Sequence, residues 1–243
     1  MALYAIADLH LSESTDKPMD KFGTQWHDHV RRIKDNWCLC EDDVCVVAGD
    51  TSWGSSLEEA EADFRLIDSL PGKKLILKGN HDFWWTTLRK MRLFLKEKGF
   101  NSIDFLYNNT FSVGGVYVCG TRGWIAGAGA EEDLKIIGRE AGRLKLSISE
   151  AKKADPNADP VVFLHYPPMF ASERCAPIMD VLHEFGIKRV FYGHLHGTAA
   201  HELAVRGVCE GIEMKLIAGD FIGFATIKAV SYTHLTLPTR IVV

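Results

Sequence analysis

The chain repeatedly ends a short apolar run in a cluster of Asp, Asn and His. Ala2–Ala7 leads into Asp8-Leu9-His10, Val44–Ala48 into Gly49-Asp50, and Leu75–Lys78 into Gly79-Asn80-His81-Asp82. Further on, Val161–Leu164 leads into His165, and Arg189–Tyr192 into Gly193-His194-Leu195-His196. Apolar runs of four to eight residues bounded by turn signals read as buried strands. In α/β sheets, ligands gather at the carboxyl ends of strands. Five strand ends are therefore expected to bring these polar groups to one edge. One His or one Gly-Asp after a strand says little, because surface turns use the same residues. The set says more. Two carboxylates, an amide and several imidazoles would desolvate and repel one another without compensation, and a divalent cation supplies it. In Asp8-x-His10 and His194-x-His196, extended backbone points both side chains to the same side.

The segments between these strands support an α/β chain. Ser55 and Ser56 before Glu58 and Glu59 form a capping-box signal. Leu57, Ala60, Phe64 and Ile67 then recur at helical spacing, and Pro71-Gly72 ends the helix. Thr86–Lys98 is expected as a helix closed by Gly99, and Glu131–Lys152 as a long helix with Ile136, Ile137, Leu144 and Ile148 inward. Ile103–Tyr107, Val116–Cys119 and Lys215–Ala218 read as further strands, and Ile178–Phe185 as a helix. Lys152–Pro160 is a surface loop. The Gly-rich Ile125–Glu132 lacks the spacing of a dinucleotide loop and is expected to be a lid near the site. No repeat and no linker divides the chain.

Composition narrows the function. Hydrophobic residues are 47%, charged residues 25% and the net charge -4. A basic surface for nucleic acid is not expected, which argues against a nuclease. No targeting signal or membrane-spanning run is visible, so a cytoplasmic protein is expected. The six cysteines, including Cys38-Leu39-Cys40, read as reduced and mostly buried thiols. His27, His29, His183 and His201 read as surface or packing residues. There is no G-x-S-x-G elbow and no P-loop. The stretch Val230–Thr239, "VSYTHLTLPT", resembles a translated sequencing adaptor. Residues 1–229 are therefore expected to form a single domain and residues 230–243 a non-native tail.

The order Asp-x-His, Gly-Asp, Gly-Asn-His-Asp, His, Gly-His-x-His over residues 8–196 resembles the calcineurin-like metallophosphoesterases. "GTRGW" (Gly120–Trp124), "LHYPP" (Leu164–Pro168) and "YGHLHG" (Tyr192–Gly197) are most similar to small bacterial members. The resemblance implies an αββα sandwich of two mixed sheets flanked by helices. It also implies two divalent ions (manganese, iron, zinc or cobalt) at the sheet edge. Asp8, His10, Asp50 and His196 would hold the first; Asp50 would bridge to a second held by Asn80, His165 and His194. The implied activity is hydrolysis of a small phosphate monoester or diester by a metal-bridging hydroxide, with His81 assisting the leaving group. Asn80 and Arg122 would touch substrate; a surface ion pair is the other reading of Arg122. Many relatives carry Asp or Asn three positions after the bridging Asp, where it orients the catalytic His. Here Trp53 stands in that position, leaving Asp82 as the candidate partner. Trp53, Trp84, Trp85 and Trp124 lie near the motifs, either as an aromatic wall for a flat group or as core. The alternative functions are a non-catalytic metal-binding scaffold on the same fold, or a nuclease.

Overall fold

The computed structural model describes residues 1–125 and 131–230. The elements run β1 (Leu3–Ile6), α1 (His29–Asp35), β2 (Val44–Ala48), α2 (Glu61–Ser69), β3 (Lys73–Leu77), α3 (Leu88–Lys98), β4 (Ile103–Phe105), β5 (Phe111–Val113) and β6 (Val116–Thr121). They continue with α4 (Glu131–Ala154), β7 (Val161–Leu164), β8 (Met169–Phe170), β9 (Glu173–Arg174), α5 (Ala176–Glu184), β10 (Arg189–Tyr192), α6 (Gly197–Leu203), β11 (Gly207–Cys209), β12 (Ile212–Leu216) and β13 (Ile227–Val230). Two large sheets result, in the orders β13-β1-β2-β3-β4 and β11-β12-β10-β7-β6-β5, and β8 pairs with β9 in a two-stranded ribbon. The central strands of both are parallel and the outer strands β13, β11 and β5 antiparallel. This is the expected α/β sandwich of two mixed sheets flanked by helices, in one domain.

Period-two alternation builds the layers. Leu3, Ala5, Val44, Val46, Leu75 and Leu77 face Val161, Phe163 and Phe191 between the sheets. Phe163 and Phe191 stack there at 5.2 Å and 17°. The alternate residues Ile6, Cys45, Val47 and Ile76 face outward onto Phe64, Ile67, Met91 and Phe94 of the helices. On the second sheet Val162, Leu164, Val190 and Tyr192 pack against Leu144, Ile148, Ile178 and Leu182. Strands covered on both faces are apolar throughout, which is why β2 reads as a solid run.

Several boundaries differ from the sequence expectation. The capping box forms, with Ser56 Oγ accepting from Glu59 N at 3.2 Å and Glu59 Oε2 from Ser55 N at 2.8 Å. It closes a turn, however, and α2 begins only at Glu61. The last expected strand lies earlier, at Ile212–Leu216. Met19–Phe22 and Thr24–Trp26 are short 3-10 turns that no periodicity announced, and α1 follows them. Cys45 and Cys119 are buried, but Cys38 and Cys40 are exposed, because their segment crosses the surface between α1 and β2. Val230, the first residue of the expected tail, pairs with Leu3 across β13 and β1. Residues 231–243 and most of the expected lid, 126–130, lie outside the described residues. Among the described residues no helix is long and apolar enough to cross a membrane.

A buried lysine ties α2 to β3. Lys74 is fully buried, and its Nζ donates to the carbonyls of Leu70 and, at 2.8 Å, Gly72. Burial pushes its pKa down to about 8. In the unfolded chain it titrates near ~10.4. Between those values the unfolded chain holds the extra proton, so this group's contribution to stability is complete above about pH 10.4 and lost as pH falls through about 8. We expect Lys74→Met to strand the two carbonyls at a cost of about 1–3 kcal/mol. It should also remove that alkaline gain, measured as urea-unfolding free energy against pH for both proteins.

Candidate metal centre

Every polar cluster after an apolar run lands on one edge of the sandwich, because the parallel strands β1, β2, β3, β7 and β10 all end there. Local backbone pairing holds the loops together. Asp8 N donates to Gly49 O at 2.9 Å and His10 N to Asp50 O at 2.9 Å. Ala7 N donates to Ile217 O at 2.9 Å and Gly219 N to Ala7 O at 3.0 Å, joining the end of β1 to the chain after β12. Asp8, His10, Asp50 and His194 have positive φ of 59°, 45°, 50° and 71°. Such conformations cost non-glycine residues about 1–3 kcal/mol each and cluster at functional sites. Gly79 is required by space. A Cβ there would lie 2.1 Å from Asp50 Oδ1.

Two groups of ligand atoms result, each lying within 4.8 Å of one another. One comprises Asp8, His10, Asp50 and His196; the other comprises Asp50, His165 and His194. Asp50 belongs to both. Asn80 Oδ1 joins the second group, 2.7 Å from His165 Nε2 and 2.9 Å from His194 Nδ1. His165 Nδ1 lies 3.1 Å from Ala48 O. Donation of its proton to that carbonyl leaves Nε2 a lone pair facing Asn80 Oδ1. Two acceptors then face each other. In the first group His10 Nε2 and His196 Nε2 face each other at 3.3 Å. Asp8 Oδ1 is buried without a hydrogen-bond partner among the described residues, 3.5 Å from His196 Nε2 and 3.7 Å from His165 Nδ1. Converging lone pairs and an orphaned carboxylate oxygen are a donor set made for cations.

The protonation states of His10, His165 and His194 agree with this. Burial pulls His165 and His194 down to about 3, and His10 well below the imidazole range. Neutral imidazole is the form that binds metal. Burial, followed by the neighbouring Asp8 and Asp82, pushes Asp50 well above the carboxylate range. Burial works against charge on His196, but Asp8 and Asp220 outweigh it and raise its pKa to about 10.

Asp220 was missed by sequence reasoning. Its Oδ1 lies 2.9 Å from His196 Nδ1, and its Oδ2 accepts from Gly197 N at 2.9 Å. His201 Nε2, expected at the surface, lies 3.4 Å from the same carboxylate. The signal was there: Gly219-Asp220 follows a strand just as Gly49-Asp50 does. Asp82 does not orient His81. It accepts from Gly79 N, Asp50 N, Thr51 N, Ser52 N and Trp84 Nε1 at 2.7–3.3 Å, clamping the loops after β2 and β3 together. The His81 ring instead rests 4.3 Å from Trp53, which also stacks on His10 at 5.1 Å. Packing thus takes the place of a hydrogen bond at the Trp53 position. The His81 backbone donates to Asp50 Oδ1 at 2.7 Å, while its Nδ1 is buried without a partner among the described residues.

Arg122 ends beside His165, whose N donates to the Arg122 carbonyl at 3.1 Å. Its guanidinium lies 3.8 Å from Glu140 and over Trp124 at 4.8 Å, with Nε buried and unpartnered among the described residues. Trp84 and Trp85 are packed among Phe64, Phe105 and Tyr107. His29 packs against Trp26 and Phe224, and His183 pairs with Glu210 at the surface.

The sequence profile of the calcineurin-like phosphoesterases matches residues 1–198. The chain belongs to that family. A solved structure of a protein of unknown function from Aquifex aeolicus, AQ665, is similar at 16% identity and a TM-score of 0.50, covering 93% of this chain and 94% of that one. TT1561 of Thermus thermophilus is similar at 13% identity and a TM-score of 0.48, covering 81% and 82%. No curated protein matches the chain.

Two outcomes are expected. Asp82→Asn puts an amide NH2 among backbone N–H donors and should lower stability by at least about 3 kcal/mol, read from the urea midpoint. Asp220→Ala should weaken manganese binding by about 10–100-fold in calorimetric titration, with little change in melting temperature.

Proposed function

We propose that the chain is a dinuclear metal-dependent phosphoesterase acting on a small phosphate monoester or diester. One observation carries this reading: Asp50 belongs to two adjoining groups of ligand atoms at once. In this reading Asp8, His10, Asp50 and His196 hold one cation, and Asp50, Asn80, His165 and His194 the other. Oxygen- and nitrogen-rich sets of this kind accept manganese, iron, zinc or cobalt. When bound, such a pair supplies an activated water and neutralises charge on the phosphate.

The chain's own residues do the rest. Asp8 and Asp50 offset part of the cationic charge and leave a positive surplus that attracts phosphate oxygens. Asn80 Oδ1 stands between His165 and His194, where it would share the second cation with them, and its NH2 is our candidate donor to a phosphate oxygen. Arg122, beside His165 and with Nε unpartnered, is our candidate for a further phosphate oxygen. His81 stands against Trp53 at the first group and gives a ring proton to the departing ester oxygen. Burial, then His196 and Lys17, pull its pKa down. An anionic phosphate alongside pushes it back up. Proton donation of this kind contributes about 10²–10⁴ in rate.

The reading is tested by turnover of p-nitrophenyl phosphate with added manganese, abolished by EDTA. Asp50→Asn should lose both turnover and metal, measured by elemental analysis of the purified protein. His81→Asn should keep its metal and slow the reaction by about 10²–10⁴ on alkyl phosphates but less on p-nitrophenyl phosphate, whose leaving group needs no proton. Equal slowing on both would remove His81 from the acid role. A non-catalytic scaffold would bind manganese without any of this turnover.

A further inference from the structure

A cleft of ≈ 390 Å³ opens directly beside the first ligand group. Its floor is His10, His81 and His196; its walls are Trp26, Trp53, Met19 and the rim residue Phe22. Met19, Phe22 and Trp26 come from the 3-10 turns of Met19–Trp26 and Trp53 from the loop after β2. They are rings against rings. Trp26 meets His10 edge-on at 5.4 Å and His196 at 5.3 Å, and Trp53 meets His81 at 4.3 Å. The polar ends of the wall are already engaged. Trp53 Nε1 points to Met19 Sδ at 3.3 Å, and Gln25 Nε2 donates to Phe22 O at 3.1 Å. The surface presented is therefore mostly carbon and sulfur, with Lys17 Nζ 4.5 Å over the Trp53 ring as the nearby charge. Phe22 is 64% exposed, a large ring held in water at the mouth. Phe83, 58% exposed, has its ring 6.1 Å from His81. Exposed apolar surface gathered beside a concave site marks a place where something apolar docks.

We propose that this cleft seats the leaving group of the substrate, and that this group is a flat aromatic one. The inference rests on the phosphoesterase reading and names its substrate class: a phosphate ester of an aryl or aryl-bearing alcohol. Two observations select the leaving group rather than the retained side of the phosphate. His81, which faces the departing oxygen, forms part of the cleft floor. Arg122 lies outside this cleft, where it, Lys78 and Arg143 gather around the single carboxylate of Glu140. Ring edges and faces on the walls select a ring over an alkyl chain, since aromatic pairs gain from offset and edge-to-face contact beyond area alone. Met19 adds a polarizable thioether to that contact.

The test compares three non-hydrolysable phosphonates as inhibitors of manganese-dependent p-nitrophenyl phosphate turnover: methylphosphonate, octylphosphonate and 1-naphthylmethylphosphonate. The naphthyl compound is expected to inhibit about tenfold more tightly than either of the others. Calorimetric titration of the manganese-loaded protein should give the same order. Phe22→Ala, at an exposed position that folding does not need, should cut the naphthyl-to-methyl ratio about fivefold. Equal inhibition by all three, or tightest inhibition by the octyl compound, overturns the proposal. So does a Phe22→Ala protein with an unchanged ratio. Absence of any manganese-dependent turnover would instead strike the underlying phosphoesterase reading, which the p-nitrophenyl assay reports separately.

Discussion

Two buried carboxylates at one sheet edge govern the architecture of this protein. Asp8 and Asp50 belong to a single group of ligand atoms within 4.8 Å, beside His10, His165 and His194, which burial keeps neutral. Two unit charges at that separation repel by about 3 kcal/mol in a typical protein environment. Desolvation adds to this. The folded chain must therefore supply both the rigidity to hold them and the positive charge to balance them. Asp8 Oδ1, without a hydrogen bond among the described residues, marks where that balance is incomplete among them.

The rigidity comes from backbone donors and from glycine. Asp82 gathers four backbone amides and an indole from the loops after β2 and β3, so neither loop can move without breaking the clamp. His194 N donates to Asp8 Oδ2 at 2.9 Å, linking the two sheets through a proposed ligand. The positive φ values at four proposed ligand positions are strained states that the surrounding pairing over-determines. Gly193 follows the same logic as Gly79: a Cβ there would lie 2.4 Å from Asp8 Oδ2. The motif glycines thus stand where carboxylates pass too close for any side chain.

Trp53 changes the character of the site. Where a polar residue would hold His81 by a hydrogen bond, an indole holds it by contact and at the same time stacks on His10. Trp53 joins the edge that carries the proposed ligands to the aromatic segment Met19–Trp26 and adds apolar surface to the flank beside His81. The other flank, with Arg122, Lys78 and Arg143 around Glu140, is charged. An ester with an anionic head and an apolar alcohol matches this division.

Much of the fold and the gathering of the polar side chains at one edge was legible in sequence. The reason is that β2, β7 and β10 are buried on both faces and each gives way abruptly to polar chemistry. Parallel strands then carry their carboxyl ends to one edge, so the order Asp8, Asp50, Asn80, His165, His194 already implied proximity. The roles of neighbours were not legible. Asp82 was expected to serve His81, yet adjacent side chains diverge and it turned to backbone amides instead. Asp220 and His201 meet His196 only because the chain after β12 pairs with the end of β1. The aromatic cleft depends on 3-10 turns that leave no periodic trace. Local pattern determined which atoms could bind a cation. Only tertiary packing decided what surrounds them, because those contacts join segments with no relation along the chain.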